Sequence, residues 1–413
     1  MSRGLDARSS AGAGRQSCRC EVPGSRDNDV RSQASRGTAL NKGKHLKTVF
    51  VGAARPNFMK IAPILDEVRA FPVIHPVLVH TGQHYDRELS DVFFEELGIS
   101  APDIHMGVGS GSHAKQTARV MMEFEKVLLT ERPALVVVVG DVNSTLACSL
   151  TSAKLHVPVA HVEAGLRSFD RSMPEEINRM VTDTLSSLLF TTCEDANVNL
   201  RNEGVTPERI HFVGNVMIDS LKNHIEIARQ SDVLSRLSLG ERNYAVLTLH
   251  RPSNVDSEEA LSRIVDAVCE IQKELPVVFP VHPRTRKGLG AERFKKQLGQ
   301  ARNFILLDPL GYLDFLRLLL SARLILTDSG GIQEESTVLG IPCLTLRENT
   351  ERPVTVSHGT NTVVGTDPER IVRETREIIA GRGKEGRVPP LWDGKASSRI
   401  AAVLAGWLEK ERN

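Results

Sequence analysis

The stretch Leu324-Ile325-Leu326-Thr327-Asp328-Ser329-Gly330-Gly331-Ile332-Gln333-Glu334-Glu335 reads as a short apolar strand, a tight glycine turn and the first turn of a helix. Small residues at such a turn let backbone N–H groups approach an anion, and the helix N-terminus adds favourable partial charge. That supports phosphate binding at Ser329, Gly330 and Gly331; the alternative is a capped turn with no ligand. Glu335, one helical turn on, is placed to accept from ribose hydroxyls or to sit in solvent.

Upstream and downstream of this unit the same alternation recurs. Apolar runs at 48–51, 76–79, 135–139, 158–162, 188–191 and 210–213 are separated by amphipathic helical patterns, including 58–70, 89–97 and 114–129. A second series has strands at 245–249, 277–280, 304–307, 324–327 and 342–346, with helical runs at 258–274, 313–320, 332–339 and 368–380. Strands alternating with helices predict parallel sheets covered on both faces, and 413 residues exceed the usual size of one core. The expected organisation is α/β: a disordered extension over 1–45, a doubly wound domain over 46–213 and a second over 214–396. A final helical run from about 397 is expected to pack back on the first domain.

Composition narrows the function. Lys plus Arg (52) and Asp plus Glu (51) nearly cancel, leaving +1 and no field to recruit nucleic acid or an anionic membrane. No apolar run reaches the roughly 18 residues of a membrane span. Cys18, Cys20, Cys148, Cys193, Cys269 and Cys343 are scattered without paired metal-ligand spacing, which favours a reducing, cytoplasmic setting. The first 45 residues lack the apolar segment of a secretory signal, and Asp6, Glu21, Asp27 and Asp29 argue against an organellar transit peptide.

In doubly wound sheets, ligands bind beyond the carboxyl ends of the strands, and the polar constellations fall there. His161-Val162-Glu163 ends one strand. Alternation puts His161 and Glu163 on one face, but the Cys pair that would complete a zinc deaminase site is absent, so no metal is expected. Glu163 near Arg167 suits proton transfer. Met173-Pro174-Glu175-Glu176-Ile177-Asn178-Arg179 opens a helix on which Glu175 and Arg179, four apart, share a face; a surface ion pair is the bland reading. The company of Asp141 and Glu163 at the same sheet mouth favours chemistry. His250-Arg251 directly follows a strand and suits a leaving diphosphate, or else His250 is a structural imidazole. Gly107-Val108-Gly109-Ser110-Gly111-Ser112 lacks the strand and spacing of a dinucleotide fingerprint and reads as a loop.

Taken in order, Gly52-Ala53-Ala54-Arg55-Pro56 with Lys60, Thr81-Gly82-Gln83-His84, Gly140-Asp141, 161–167, 174–179, Gly214-Asn215, His250-Arg251, 328–335 and Thr350-Glu351-Arg352-Pro353 resemble the non-hydrolysing UDP-N-acetylglucosamine 2-epimerase family. The resemblance spans nearly everything after residue 46. It implies a GT-B fold, two Rossmann-like domains facing a central cleft, a homodimer and no cofactor. The implied reaction inverts carbon 2 by eliminating UDP to a 2-acetamidoglucal and adding it back with protonation on the opposite face.

By matching positions the resemblance implies Asp141, Glu163, Glu175, Arg179 and His250 as the catalytic set. For the UDP-sugar it implies Arg55, Lys60, Phe315, Ser329, Gly330, Gly331, Glu335 and Arg352. Two departures stand out. This chain reads Gly52-Ala53-Ala54-Arg55-Pro56-Asn57 where many bacterial members read Gly-Thr-Arg-Pro-Glu. It also has Tyr85-Asp86 after Gln83-His84, where substrate-activated members carry a second amide, leaving Gln83 and Arg119 as the allosteric candidates. The resemblance extends to epimerases of a diacetamido uronic acid, through Arg171 and the 168–170 turn. A hydrolysing epimerase, a GT-B glycosyltransferase and a nucleotide-sugar sensor are the other readings. Three carboxylates at one sheet mouth argue against the sensor.

Overall fold

The computed structural model describes residues 45–82, 98 and 100–412, the side chain of Arg55 excepted. Almost all of the 1–45 extension, the helix expected over 89–97, and Gln83 with the three residues after it lie outside the described residues.

Two parallel sheets form the framework. The first contains β1 (Leu46–Gly52), β2 (Ile74–His80), β3 (Ile104–His105), β4 (Leu135–Val139), β5 (Val159–Ala164), β6 (Leu188–Thr191) and β7 (Ile210–Phe212), in the order β3-β2-β1-β4-β5-β6-β7. The second contains β8 (Ala245–Thr248), β9 (Val277–Pro280), β10 (Phe304–Leu307), β11 (Leu324–Thr327), β12 (Cys343–Thr345) and β13 (Asn361–Val363), in the order β10-β9-β8-β11-β12-β13. Strand order reverses beside β1 and beside β8, and such switch points open a crevice at the carboxyl ends of the strands.

Both faces of each sheet are covered, which is why the strands read as nearly continuous apolar runs. On one face of the first sheet Val49, Val77, Val136 and Val138 pack with Val120 and Phe124. On the other, Phe50, Leu78, Val137 and Val139 pack with Phe58 and Ile61. Phe50 and Phe124 are fully buried, each worth on the order of 2–3 kcal/mol in transfer from water. The second sheet repeats the plan: Leu247, Phe279 and Leu326 belong to one cluster and Val246, Val278 and Ile325 to the other.

The helices that shape the cleft are α1 (Arg55–Val68), α2 (His113–Glu131), α3 (Asn143–Lys154), α4 (Pro174–Leu185), α5 (Val216–Ala228), α6 (Gly330–Leu339) and α7 (Ala396–Arg412). The chain returns from the second sheet to the first through α7. Asp219 on α5 accepts from Ala396 N (3.2 Å), Ser397 N (2.7 Å) and Ser397 Oγ (2.6 Å), so a carboxylate from another helix caps α7. Ser398 Oγ donates to Glu67 of α1 at 2.7 Å, and buried Trp392 donates to Thr192 O at 2.8 Å. Gly214 begins the outward crossing. Its φ is +88°, and a Cβ there would lie 2.0 Å from Leu391 O, so only glycine fits where the two crossings touch.

Among the described residues no helix is long and apolar enough to cross a membrane.

Candidate active site

Glu163 stands at the end of β5, where pairing with β6 slips register between Val162 and Ala164, and its φ is +76°. Simple alternation with His161, as expected from the strand pattern, is therefore interrupted at this residue. The carboxylate is almost fully buried and takes a hydrogen bond from Lys60 of α1 on one oxygen and from Arg352 on the other. Burial pushes the Glu163 carboxyl up, but Lys60 and Arg352, with a smaller contribution from His161, hold it below its ordinary value. Asn57, in the segment that departs from the bacterial pattern, donates to Val139 O at 2.9 Å and accepts from Ala54 N at 3.0 Å, tying the start of α1 to the end of β4.

Spacing along the chain does not give the partners of Arg167 and Arg179. Arg167 does not serve Glu163: its guanidinium lies 2.8 Å from Asp183 and 2.6 Å from Glu203. Arg179 does not pair with Glu175 four residues before it. It binds Glu176, three before, at 2.5 Å, and Asp141 at the end of β4. The reason is local: Pro174 starts α4, Glu176 turns inward to accept from Ser168 N (3.0 Å) and Phe169 N (2.8 Å), and Arg179 follows it. Glu175 is left facing the other sheet, 3.5 Å from Arg251 Nη1.

From the second sheet, Asp328 at the end of β11 is fully buried and organises β8's exit. It accepts from His250 N (3.0 Å), Arg251 N (2.9 Å) and Asn254 Nδ2 (3.2 Å), and His250 Nδ1 lies 2.9 Å from it. Burial disfavours its charge, yet the His250 hydrogen bond and charge hold its pKa below the ordinary range. The His250 side chain remains 40% exposed toward solvent, free to meet a ligand. Ser329 N donates to Thr327 Oγ1 at 2.9 Å, and the chain turns into α6 at Gly330. A Cβ on Gly330 would lie 2.7 Å from Glu351 Oε1, whereas one on Gly331 would meet nothing within 4 Å, so the turn is packed on one side and open on the other.

Arg352 joins the two halves. Besides Glu163 it reaches Glu334, with Nε 2.7 Å from Oε1 but without the alignment of a hydrogen bond. Burial raises the Glu334 carboxyl to about 7 against the pull of Arg352. Neighbouring Glu335 is raised to about 8 by burial and then by Glu334. Glu351 goes the other way: burial opposes its charge, but Arg352, Arg347 and Arg251 bring it down to about 2. Phe315 is half-buried against the cluster containing Leu318 and Ile325.

Thus Asp141, Glu163, Glu175, Arg179 and Lys60 from the first sheet meet Arg251, Arg352 and the Gly330 turn from the second, with His250 next to Arg251, while Glu335 lies along α6 beside Glu334. Reading by spacing missed Glu176, Glu334 and Asp328 as partners. Asp328 carried a signal, an acid closing an apolar strand before a glycine turn; Glu176 and Glu334 are each one of a Glu-Glu pair, and the sequence marks both members alike.

A family model described as UDP-N-acetylglucosamine 2-epimerase matches residues 66–405. A Methanococcus maripaludis protein named UDP-N-acetylglucosamine 2-epimerase homolog is 45% identical over 87% of this chain and 99% of its own length. The Pseudomonas aeruginosa UDP-2,3-diacetamido-2,3-dideoxy-D-glucuronate 2-epimerase is 41% identical over 87% of this chain and 99% of its own. The crystal structure of the Methanocaldococcus jannaschii UDP-GlcNAc 2-epimerase in complex with UDP-GlcNAc and UDP matches with a TM-score of 0.81 and 41% identity, over 87% of this chain and 100% of that one. The GT-B-like architecture of two doubly wound sheets is shared with it. Because the match runs through both sheets and nearly the full length of these proteins, the chain belongs to the UDP-N-acetylglucosamine 2-epimerase family.

Proposed function

We propose that the protein interconverts UDP-N-acetylglucosamine and UDP-N-acetylmannosamine by eliminating and re-adding UDP. The observation that carries this reading is the meeting of three carboxylates, Asp141, Glu163 and Glu175, with a set of cations and the Ser329 turn at one place. In the elimination the C2–H bond breaks, its proton passes to a carboxylate, and the C1–O bond breaks with its electron pair leaving on UDP. In the return, UDP oxygen re-forms the bond to C1 and a second acid protonates C2 from the other face. A base and an acid on different walls are what such a step requires, and fixed cations around the departing diphosphate stabilise its charge.

In this reading Arg179 fixes Asp141, Lys60 and Arg352 hold Glu163 ionised, and His250 with the Ser329, Gly330 and Gly331 turn receives the diphosphate. Arg55 and Phe315 serve the nucleotide, and Glu335 the ribose. We read the chain as two lobes hinged near Gly214, acting in the cytoplasm to supply cell-surface polysaccharide synthesis, as a homodimer. Support for the dimer is the exposure of Met122 (63%) and Leu129 (60%) on α2, whose other face is buried.

The test is NMR of the protein with UDP-N-acetylglucosamine in deuterated water. UDP-N-acetylmannosamine carrying deuterium at carbon 2 is expected, with Glu163→Gln and Glu175→Gln losing turnover while UDP binding persists. Full activity in both variants overturns the assignment, and free sugar plus UDP indicates hydrolysis. The 41% identity to the P. aeruginosa enzyme supports a second reading, a diacetamido uronic acid as the sugar. Turnover of that nucleotide sugar alone would select it.

A further inference from the structure

Two residues before Glu163, the His161 ring is completely buried, and each of its nitrogens faces an acceptor. Nε2 lies 2.9 Å from Gly140 O, a carbonyl that can only accept. Nδ1 lies 2.6 Å from Asp183 Oδ1. A neutral imidazole donates from one nitrogen only, so it would set a lone pair against an acceptor on the other side. A proton shifted to Asp183 Oδ1 would also satisfy the ring, but it would neutralise a carboxylate whose other oxygen lies 2.8 Å from the Arg167 guanidinium and takes Gly165 N at 3.0 Å, and these donors favour the carboxylate and so keep the proton on the ring. Burial opposes the charge on Asp183, yet His161 and Arg167 hold its carboxyl below the ordinary range.

The charged groups facing this ring are Asp183 from α4 and Glu163 on β5, with Arg167 and, beyond it, Glu203 closing the cluster. With the ring charged, His161 and Arg167 would balance Asp183 and Glu203. The link to the reaction is equally short. Gly140 N donates to Val162 O at 3.1 Å while Gly140 O accepts from His161, so the turn carrying Asp141 is tied to β5 at two points. The His161 charge also acts on Glu163 in the same direction as Lys60 and Arg352.

We propose that His161 is a positioning residue, locked as an imidazolium by Asp183, that fixes the Gly140-Asp141 turn and supplies a third cation beneath Glu163. Only its kinetic consequence rests on the epimerase reading; the protonation state of the ring does not. No metal enters this role, since neither nitrogen retains a lone pair.

Nitrogen NMR of protein labelled at histidine tests the ring directly. One imidazole is expected to carry protons on both nitrogens at a pH above the ordinary histidine range. If every ring in the wild-type protein is neutral there, the proposal fails, whatever the enzyme's substrate. His161→Gln is expected to remove that signal, and Glu163→Gln, which keeps the pocket's shape, to move it. In turnover, His161→Gln should lower kcat about 100-fold, the scale of misplacing reacting groups by an ångström, with KM near the wild-type value. Its acid limb in kcat/KM should shift to higher pH because Glu163 has lost a cation. An unchanged kcat and an unchanged limb would overturn the positioning role even with the imidazolium seen.

Discussion

At residue 163 the backbone takes a left-handed conformation that costs glutamate on the order of 1–3 kcal/mol, and the cost is offset by three surrounding cations that keep the carboxylate charged in a buried place. Glu335 shows the opposite economy. It is buried without a cation of its own, so its carboxyl rises to about 8, and near pH 7 it is mostly protonated before ligand arrives. Ribose hydroxyls donating to Glu335 would favour the ionised form, so UDP binding at pH 7 should release a proton and affinity should fall as pH drops below about 8. Calorimetry in buffers of different ionisation heat measures that release. Glu335→Gln should abolish it, and equal release from the variant would assign the proton elsewhere. The same shift fixes the sign for the unliganded protein. With the folded pKa raised from 4.5 to about 8, this group's contribution to stability is fully present below 4.5 and is lost as pH rises through about 8.

Most elements were legible because each strand covered on both faces spells a run of branched apolar residues; β4, Leu135–Val139, is entirely buried. What escaped the pattern has too little side chain to show it. β3 is two residues long, and β13 has one buried position, Asn361, whose side chain hydrogen-bonds Thr345 Oγ1 at 2.7 Å. The site was legible as strand ends but not as pairs: Arg352 and Glu163 lie 189 residues apart, and no local spacing joins them. The cap on α7 was illegible for the same reason, since Asp219 lies on a different helix. Asp219→Ala leaves the N–H groups of Ala396 and Ser397 without their acceptor and should cost about 1–2 kcal/mol, read as a lower midpoint in urea. An unchanged midpoint would mean that water replaces the cap.

Across the whole molecule, the two sheets meet through charge as well as chain. Glu163 and Lys60 come from the first sheet's side, Arg352, Glu334 and Glu351 from the second's, and Arg251 reaches Glu175 across the same gap. Such a cluster is poised rather than merely stabilising: buried ion pairs contribute little net energy while whole, but removing one partner strands the others and costs about 3–5 kcal/mol. Arg352→Ala would leave Glu163 with only Lys60 and His161 and strip Glu334 of its cation, so the loss should fall on the union of the halves. Both tryptophans, Trp392 and Trp407, belong to the cluster beneath the first sheet, whereas circular dichroism reads the helices of both. In urea the wild-type fluorescence and dichroism curves should coincide, and in Arg352→Ala they should separate, with dichroism falling first as the second sheet loosens alone. Arg352→Lys, which keeps the charge but loses the planar fork, should lie between. Coincident curves in Arg352→Ala would show that the crossings at Gly214 and Leu391 hold the two sheets together without the cluster.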